Sequence, residues 1–240
     1  MLTVLSPHID DAAYALAMAL RRVASKGETI DLVNCFTQSD HAPQETVRAN
    51  LDISALRAQE DAAFIKHLRG RVSAHYLGLA DTSARAGYDT LADAFHRREF
   101  AVHERKIMSE LHAAFLEFGI GANTAHVLLV PMAYGNHVDH RLVRTVAEEL
   151  VSGDRIIYYE DMPYSYKAPR RSIRKHLARD GFEPLIITGD DEALSQKDRA
   201  IQLYASQLEP SYRQWILERG RQLGGERVWL SERALEALWS

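Results

Sequence analysis

Leu2-Thr3-Val4-Leu5-Ser6-Pro7-His8-Ile9-Asp10-Asp11-Ala12-Ala13 is the stretch whose reading decides the fold. Leu2–Leu5 is a short apolar run with the look of a buried strand. From Asp11 to Lys26 the apolar residues return at helical spacing, with Asp10 or Asp11 at the start and Gly27 at the end. A strand that turns directly into a helix is the first half of a βαβ unit.

Working outward, the same alternation repeats. Thr29–Phe36, Val72–Leu77, His126–Val130 and Arg155–Tyr159 read as strands. Glu45–Leu68, Phe100–Phe118 and His137–Val151 read as helices between them. The pattern predicts an α/β fold, a mostly parallel sheet with helices on both faces. After about residue 160 it changes. Phe182–Ile187 and Val228–Leu230 read as strands, Asp191–Gln207 and Tyr212–Arg219 as helices, followed by a terminal helix. We read 1–240 as a single domain, with a core over 1–160 and a C-terminal elaboration over 161–240.

The composition is that of a globular chain: 240 residues, 46% hydrophobic and 26% charged. A net charge of −4 argues against nucleic acid as partner, since such domains are usually basic. The single cysteine, Cys35, excludes an intramolecular disulfide and sits in an apolar run, as a buried structural residue would. No segment has the 18 or more apolar residues of a membrane span. The N-terminus lacks the basic start of a signal peptide, so a cytoplasmic address is expected. Oligomeric state is not legible.

In an open parallel sheet, ligands bind beyond the carboxyl ends of the strands. His8, Asp10 and Asp11 follow the first strand, and His137, Asp139 and His140 follow the strand that ends at Val130. Imidazole with carboxylate suits zinc and other divalent transition metals. A catalytic zinc takes three protein ligands and keeps a position for water. Each cluster has a plainer reading. Asp-Asp before a helix is commonly an N-cap with its dipole partner, and His-x-x-His merely shares a helix face. Two such clusters, each after a core strand, point to one metal site.

Ser6-Pro7-His8-Ile9-Asp10-Asp11-Ala12 resembles the His-Pro-Asp-Asp signature of the PIG-L/LmbE-like deacetylases, and His137-Val138-Asp139-His140 resembles their His-x-Asp-His. Arg57-Ala58-Gln59-Glu60 is similar to the family's Arg-x-x-Glu, and Tyr204-Ala205-Ser206-Gln207 to its Tyr-x-Ser-Gln. The resemblance implies a Rossmann-like fold and zinc-dependent removal of an acyl group, usually acetyl, from the amide nitrogen of an amino sugar or related small molecule. It implies His8, Asp11 and His140 as ligands of one zinc ion. Asp10 would be the general base, His137 the electrostatic partner or acid, and Asp139 the residue that orients His137. A nearby Asp139 should favour the charged form of His137. Ile9 replaces the usual proline and Ala12 a common glutamate; neither carries a ligand role.

Substrate contacts are expected from Arg57, a bidentate grip, and from Asp81 after the third strand. Tyr134 could polarise the carbonyl. The plainer readings are a salt bridge for Arg57 and a turn cap for Asp81. The basic run Arg170, Arg171, Arg174 and Lys175 is a solvated face or an anion grip. Two other functions remain open at this point: a non-catalytic sugar- or nucleotide-binding module on the same fold, and a metal-dependent amidase of a thiol conjugate.

Overall fold

The computed structural model describes residues 2–43, 52–90, 92–96, 99–121, 127–166, 168, 170–177 and 181–234. Seven strands form one sheet: β1 (Leu2–Ser6), β2 (Thr29–Gln38), β3 (Arg71–Ala80), β4 (Val127–Pro131), β5 (Ile156–Tyr159), β6 (Phe182–Thr188) and β7 (Gly225–Ser231). Their order is β3-β2-β1-β4-β5-β7-β6. The first five run parallel, with Val4 opposite both Leu32 and Leu129. β7 lies antiparallel to both β5 and β6. The C-terminal part thus extends the same sheet.

Alternation along each central strand builds a core on both faces. Val4, Ile30, Leu32, Leu129 and Ile157 point to one apolar cluster, and Leu5, Val33, Leu128, Val130 and Ile156 to the other. Cys35 is buried in the second. On the first face lies α1 (Asp11–Ser25), packed beside α7 (Asp191–Ile201). Its Ala12, Ala13, Ala15, Ala17 and Ala19 are buried, and only small side chains let a helix sit this deeply between a sheet and its neighbours. Buried Glu226 of β7 accepts from the Met18 and Ala19 N–H groups and pairs with buried Lys197 of α7, which ties the three elements together.

The remaining helices are α2 (Ile53–Leu68), α3 (Asp93–His96), α4 (Val102–Glu117), α5 (Val138–Leu150), α6 (Arg170–Leu177) and α8 (Pro210–Leu223). Asp52 caps α2 by accepting from the Ala55 N–H at 3.0 Å. The expected helix from Glu45 is observed from Ile53, and 44–51 lie outside the described residues. The helix expected to run to Gln207 stops at Ile201, because Tyr204, Ser206 and Gln207 turn away to bond elsewhere. The expected terminal helix has a turn at 232–234, and 235–240 lie outside the described residues. In α6, Ile173 and Leu177 are buried while Arg171 and Lys175 are exposed, as a solvated basic face would be. Among the described residues no helix is long and apolar enough to cross a membrane.

β1 lies between β2 and β4, and the chain leaves it toward opposite edges of the sheet. The crevice beyond the carboxyl ends of β1 and β4 is therefore a topological switch point, where open α/β sheets bind their ligands.

Candidate metal centre

The turn after β1 is fixed by its own short hydrogen bonds. Ser6 Oγ donates to the His8 carbonyl at 2.6 Å and accepts from the Ala12 N–H at 3.2 Å. The His8 N–H donates to Asp11 Oδ2 at 2.8 Å. Asp10 stands at the N-cap of α1, but its side chain makes no capping bond. The plain reading of the Asp-Asp pair as a helix cap therefore fails for Asp10, which is free for other work. Ile9, in the place of the usual proline, is buried in the core.

The second cluster enters from the turn after β4. Ala133, Gly135 and Asn136 all have positive φ, which delivers His137 to the N-cap of α5. Gly135 has φ +97°, and a Cβ there would lie 3.0 Å from Tyr164 Cβ, so only glycine suits both backbone and neighbour.

The two turns meet. Asp11 Oδ2 lies 3.2 Å from His8 Nδ1 and 3.3 Å from His140 Nε2. Two ligands of one tetrahedral zinc, each bonded at about 2.0–2.1 Å, stand about 3.3 Å apart. His140 Nε2 is buried and makes no hydrogen bond, which a metal would remedy. The ligand atoms of His8, His137 and His140 all fall within 4.8 Å of one another. The donor set and its spacing fit a divalent transition metal.

Two of these histidines, His140 and His8, have a carboxylate behind them. His140 Nδ1 lies 2.6 Å from Asp161 Oδ1, and His8 Nε2 lies 3.0 Å from Asp139 Oδ2. Histidine ligands of metals are usually oriented in this way. Asp161 also accepts from the Tyr134 N–H at 2.8 Å. Burial alone would depress His8, but hydrogen bonds and charge from Asp11 and Asp139 raise it to about 10. Burial would raise Asp11, but the charge of His140 and the bond from His8 hold it down at about 2.

Asp139 is fully buried and acts on His8, contrary to the expectation that it orients His137. Its link to His137 is its backbone N–H, which donates to His137 Nδ1 at 3.3 Å. Nor does Asp139 keep His137 charged. Burial drives His137 well below the usual imidazole range, and the neighbouring His8 and His140 add to this. Its surroundings are aromatic: Phe95 stands edge-on at 5.0 Å and Tyr164 is stacked at 6.2 Å.

Arg57 is buried and bonds to protein groups. It donates to Asp10 Oδ1 at 3.1 Å, to Ser39 Oγ at 2.7 Å and to Asp81 Oδ2 at 3.4 Å; only its Nε lacks a partner. Asp81 also accepts from Ser83 and Ala84 backbone N–H groups, as a turn cap does. Arg57 and Asp81 are thus bonded to each other, and Arg57 also to Asp10, while both residues line the cavity over the centre. The Tyr134 hydroxyl donates to Ser172 Oγ at 3.1 Å, and Tyr134 is not among the residues that line the cavity, which leaves its expected role without support.

The Arg57 and Tyr204 motifs dock on each other. Tyr204 donates to Asp61, the Ser206 N–H and hydroxyl donate to Glu60, and Gln207 donates to the His41 carbonyl. This braces α2, and with it Arg57, against the C-terminal part. A cavity of about 370 Å³ opens over the centre; Asp10, Asp11, His8 and His137 line it together with Tyr14, His41, Tyr164 and Tyr212. The sequence alone gives no role to Asp161 or His41, whereas Tyr164 belongs to a run of tyrosines that could stack on a sugar ring. Asp161 had a signal, since it follows β5 at the same sheet edge as the two motifs follow β1 and β4.

Three likenesses to known proteins bear on this site. The chain is 31% identical over 231 residues to 2'-N-acetylparomamine deacetylase of Streptomyces fradiae, covering 94% of this chain and 80% of that protein. The structure of a deacetylase from the biosynthesis pathway of teicoplanin matches with a TM-score of 0.68 at 21% identity, over 95% of this chain and 96% of that one. The zinc-inhibited form of teicoplanin deacetylase matches with a TM-score of 0.64, also at 21% identity and over the same shares. At such identities the two structures show the fold. The profile of the PIG-L family, GlcNAc-PI de-N-acetylase, matches residues 3–151, which takes in both turns of the centre. With that match, and with a relative of this identity along nearly its whole length, the chain belongs to the PIG-L family of de-N-acetylases and is an amidohydrolase.

Proposed function

We propose that this chain removes the acetyl group from the amide nitrogen of a small amino sugar, with one zinc ion held by His8, Asp11 and His140. The observation that carries this reading is the convergence of Asp11 Oδ2 on His8 Nδ1 and His140 Nε2, beside a carboxylate, Asp10, that no helix cap employs. A zinc ion in such a site supplies Lewis-acid polarisation of the scissile carbonyl and acidifies the attacking water.

The chain's own residues do the rest. Arg57 holds Oδ1 of Asp10, and the other carboxylate oxygen has no hydrogen bond among the described residues. Asp10 takes the proton of the water as it attacks, and returns it to the nitrogen as the carbon–nitrogen bond breaks. The products are a carboxylic acid and a free amine, and the proton count balances. His137 accepts at Nδ1 from the Asp139 N–H, which assigns its ring proton to Nε2. As a neutral donor in a buried, aromatic setting, it steadies the negative charge that develops on the carbonyl oxygen.

The cavity volume is that of a small-molecule site. The named substrate of the Streptomyces fradiae relative, an N-acetylated amino sugar, supports the choice of substrate class. The test is acetate release by the zinc-loaded protein from a panel of N-acetylated amino sugars that includes 2'-N-acetylparomamine. Release that needs zinc supports the proposal, and no release from any member counts against it.

A further inference from the structure

The chemistry proposed above gives no part to Arg85, yet this residue stands directly behind the centre. It belongs to the segment after β3, residues 81–90, of which Thr82, Ser83, Tyr88, Asp89 and Thr90 line the cavity. Its side chain is 7% exposed, so a cation has been buried here for some purpose. Its Nη2 donates to Asp139 Oδ1 and its Nη1 to the Ala80 carbonyl. The guanidinium carbon lies 5.2 Å from the Phe36 ring centre and 5.0 Å from that of Tyr88, which fixes its plane.

We propose that Arg85 is a positioning residue for the metal ligand His8 and acts on it through Asp139. Asp139 has two oxygens and no exposure. Arg85 takes Oδ1. Oδ2 is then left to His8 Nε2 at 3.0 Å and to the Thr82 N–H at 3.2 Å. With Nε2 engaged in this way, Nδ1 of the same ring is the atom turned to Asp11. Without Arg85, the buried carboxylate would lose the partner that sets its rotation and balances its charge. It would then hold His8 less firmly and in a less uniform orientation. The cavity wall and the metal ligand are thereby joined through a single carboxylate, since Thr82 and Arg85 lie on the same short segment.

This inference rests on the reading of His8 as a metal ligand, and the experiment separates the two. Zinc affinity is measured by competition with a chelator for the wild type, Arg85→Ala and Arg85→Gln. The thermal unfolding of each zinc-stripped protein reports on folding alone. Loss of an outer partner of a metal ligand typically weakens binding about 10- to 100-fold. That loss is expected in Arg85→Ala. Arg85→Gln, which keeps a hydrogen-bond donor but not the charge, is expected to lose at least about 10-fold and decides the matter should the alanine variant not fold. The visible spectrum of the cobalt-loaded glutamine variant should differ from that of the wild type, a change that lowered stability alone would not give. Affinity within about two-fold of wild type in a folded variant, with an unchanged cobalt spectrum, overturns the role of Arg85. A wild type that binds no metal overturns this inference and the reading of His8 together.

Discussion

Arg57 Nη2 stands 3.1 Å from Asp10 Oδ1, so the carboxylate beside the candidate metal centre is held by a guanidinium that the chain itself buries. The same guanidinium bonds to Asp81 and Ser39, which makes it a clamp between α2, the segment just after β2 and the turn after β3. Arg57→Lys keeps the charge but not the fork that reaches three partners. Misplacing a reacting group by about 1 Å can cost about 100-fold in rate. We therefore expect kcat to fall about 100-fold with KM and bound zinc little changed. Steady-state kinetics with metal analysis checks this, and an unchanged kcat would show that Asp10 does not depend on the clamp.

Asp161 supports His140 from behind, at 2.6 Å. Asp161→Asn keeps the size but weakens the acceptor that orients the ring. Zinc affinity is expected to fall about 10- to 100-fold, in line with the loss of outer partners at other metal sites. Chelator competition measures it. Wild-type affinity in a folded variant would remove Asp161 from the account of the centre.

Protons and metal should compete here. In the zinc-stripped protein His8 is held up at about 10 and Asp11 down at about 2 by their mutual contacts, and His140 is raised in the same direction. At neutral pH His8 therefore carries a proton that a metal must displace, and His140 is shifted toward carrying one. Affinity should fall as pH is lowered, with on the order of one to two protons released per zinc. Calorimetry in two buffers of different ionisation enthalpy counts them. The sign for the stripped fold follows from the same shifts. The His8 contribution is complete below its unfolded value of 6.5 and is lost as pH rises through about 10. The Asp11 contribution is complete above its unfolded value of 3.8 and is lost as pH falls through about 2. No proton release on zinc binding near pH 7 would contradict this pairing.

Gly135 joins a positive φ to a close approach by Tyr164. Gly135→Ala should lower stability by about 1–3 kcal/mol, the usual cost of a residue held in a sparsely populated region. Because the same turn delivers His137, activity should fall as well. Denaturant unfolding of the variant settles the first point, and a stability equal to wild type would mean that the turn can shift without cost.

The parallel core was legible because alternation of apolar residues at Val4–Leu5 and Leu128–Val130 is a direct imprint of two buried faces. The two turns of the candidate metal centre were legible for a related reason, that each follows a core strand. What stayed hidden was pairing across long sequence separations. Nothing in the sequence says that Asp139 would choose His8 over its neighbour His137, because the choice depends on how two turns from different strands meet. The expectation of a charged His137 fails for a similar reason. Adjacency to Asp139 is visible in the sequence, while burial between Phe95 and Tyr164 is not, and burial outweighs the charge. Arg57 reads as a free arginine until Asp10, Asp81 and Ser39 are seen around it.

The central claim is that His8, Asp11 and His140 hold the metal while Asp10 moves the proton. Asp10→Asn separates the two, since it keeps the size of the side chain and removes its basicity together with its charge. Bound zinc and acetate release from an N-acetylated amino sugar that the wild type hydrolyses should be measured on the same sample of the variant. The account predicts full zinc occupancy, with turnover reduced by at least about 100-fold, as expected for the loss of a general base. An Asp10→Asn protein that turns over at the wild-type rate, or one that loses its zinc, would contradict it.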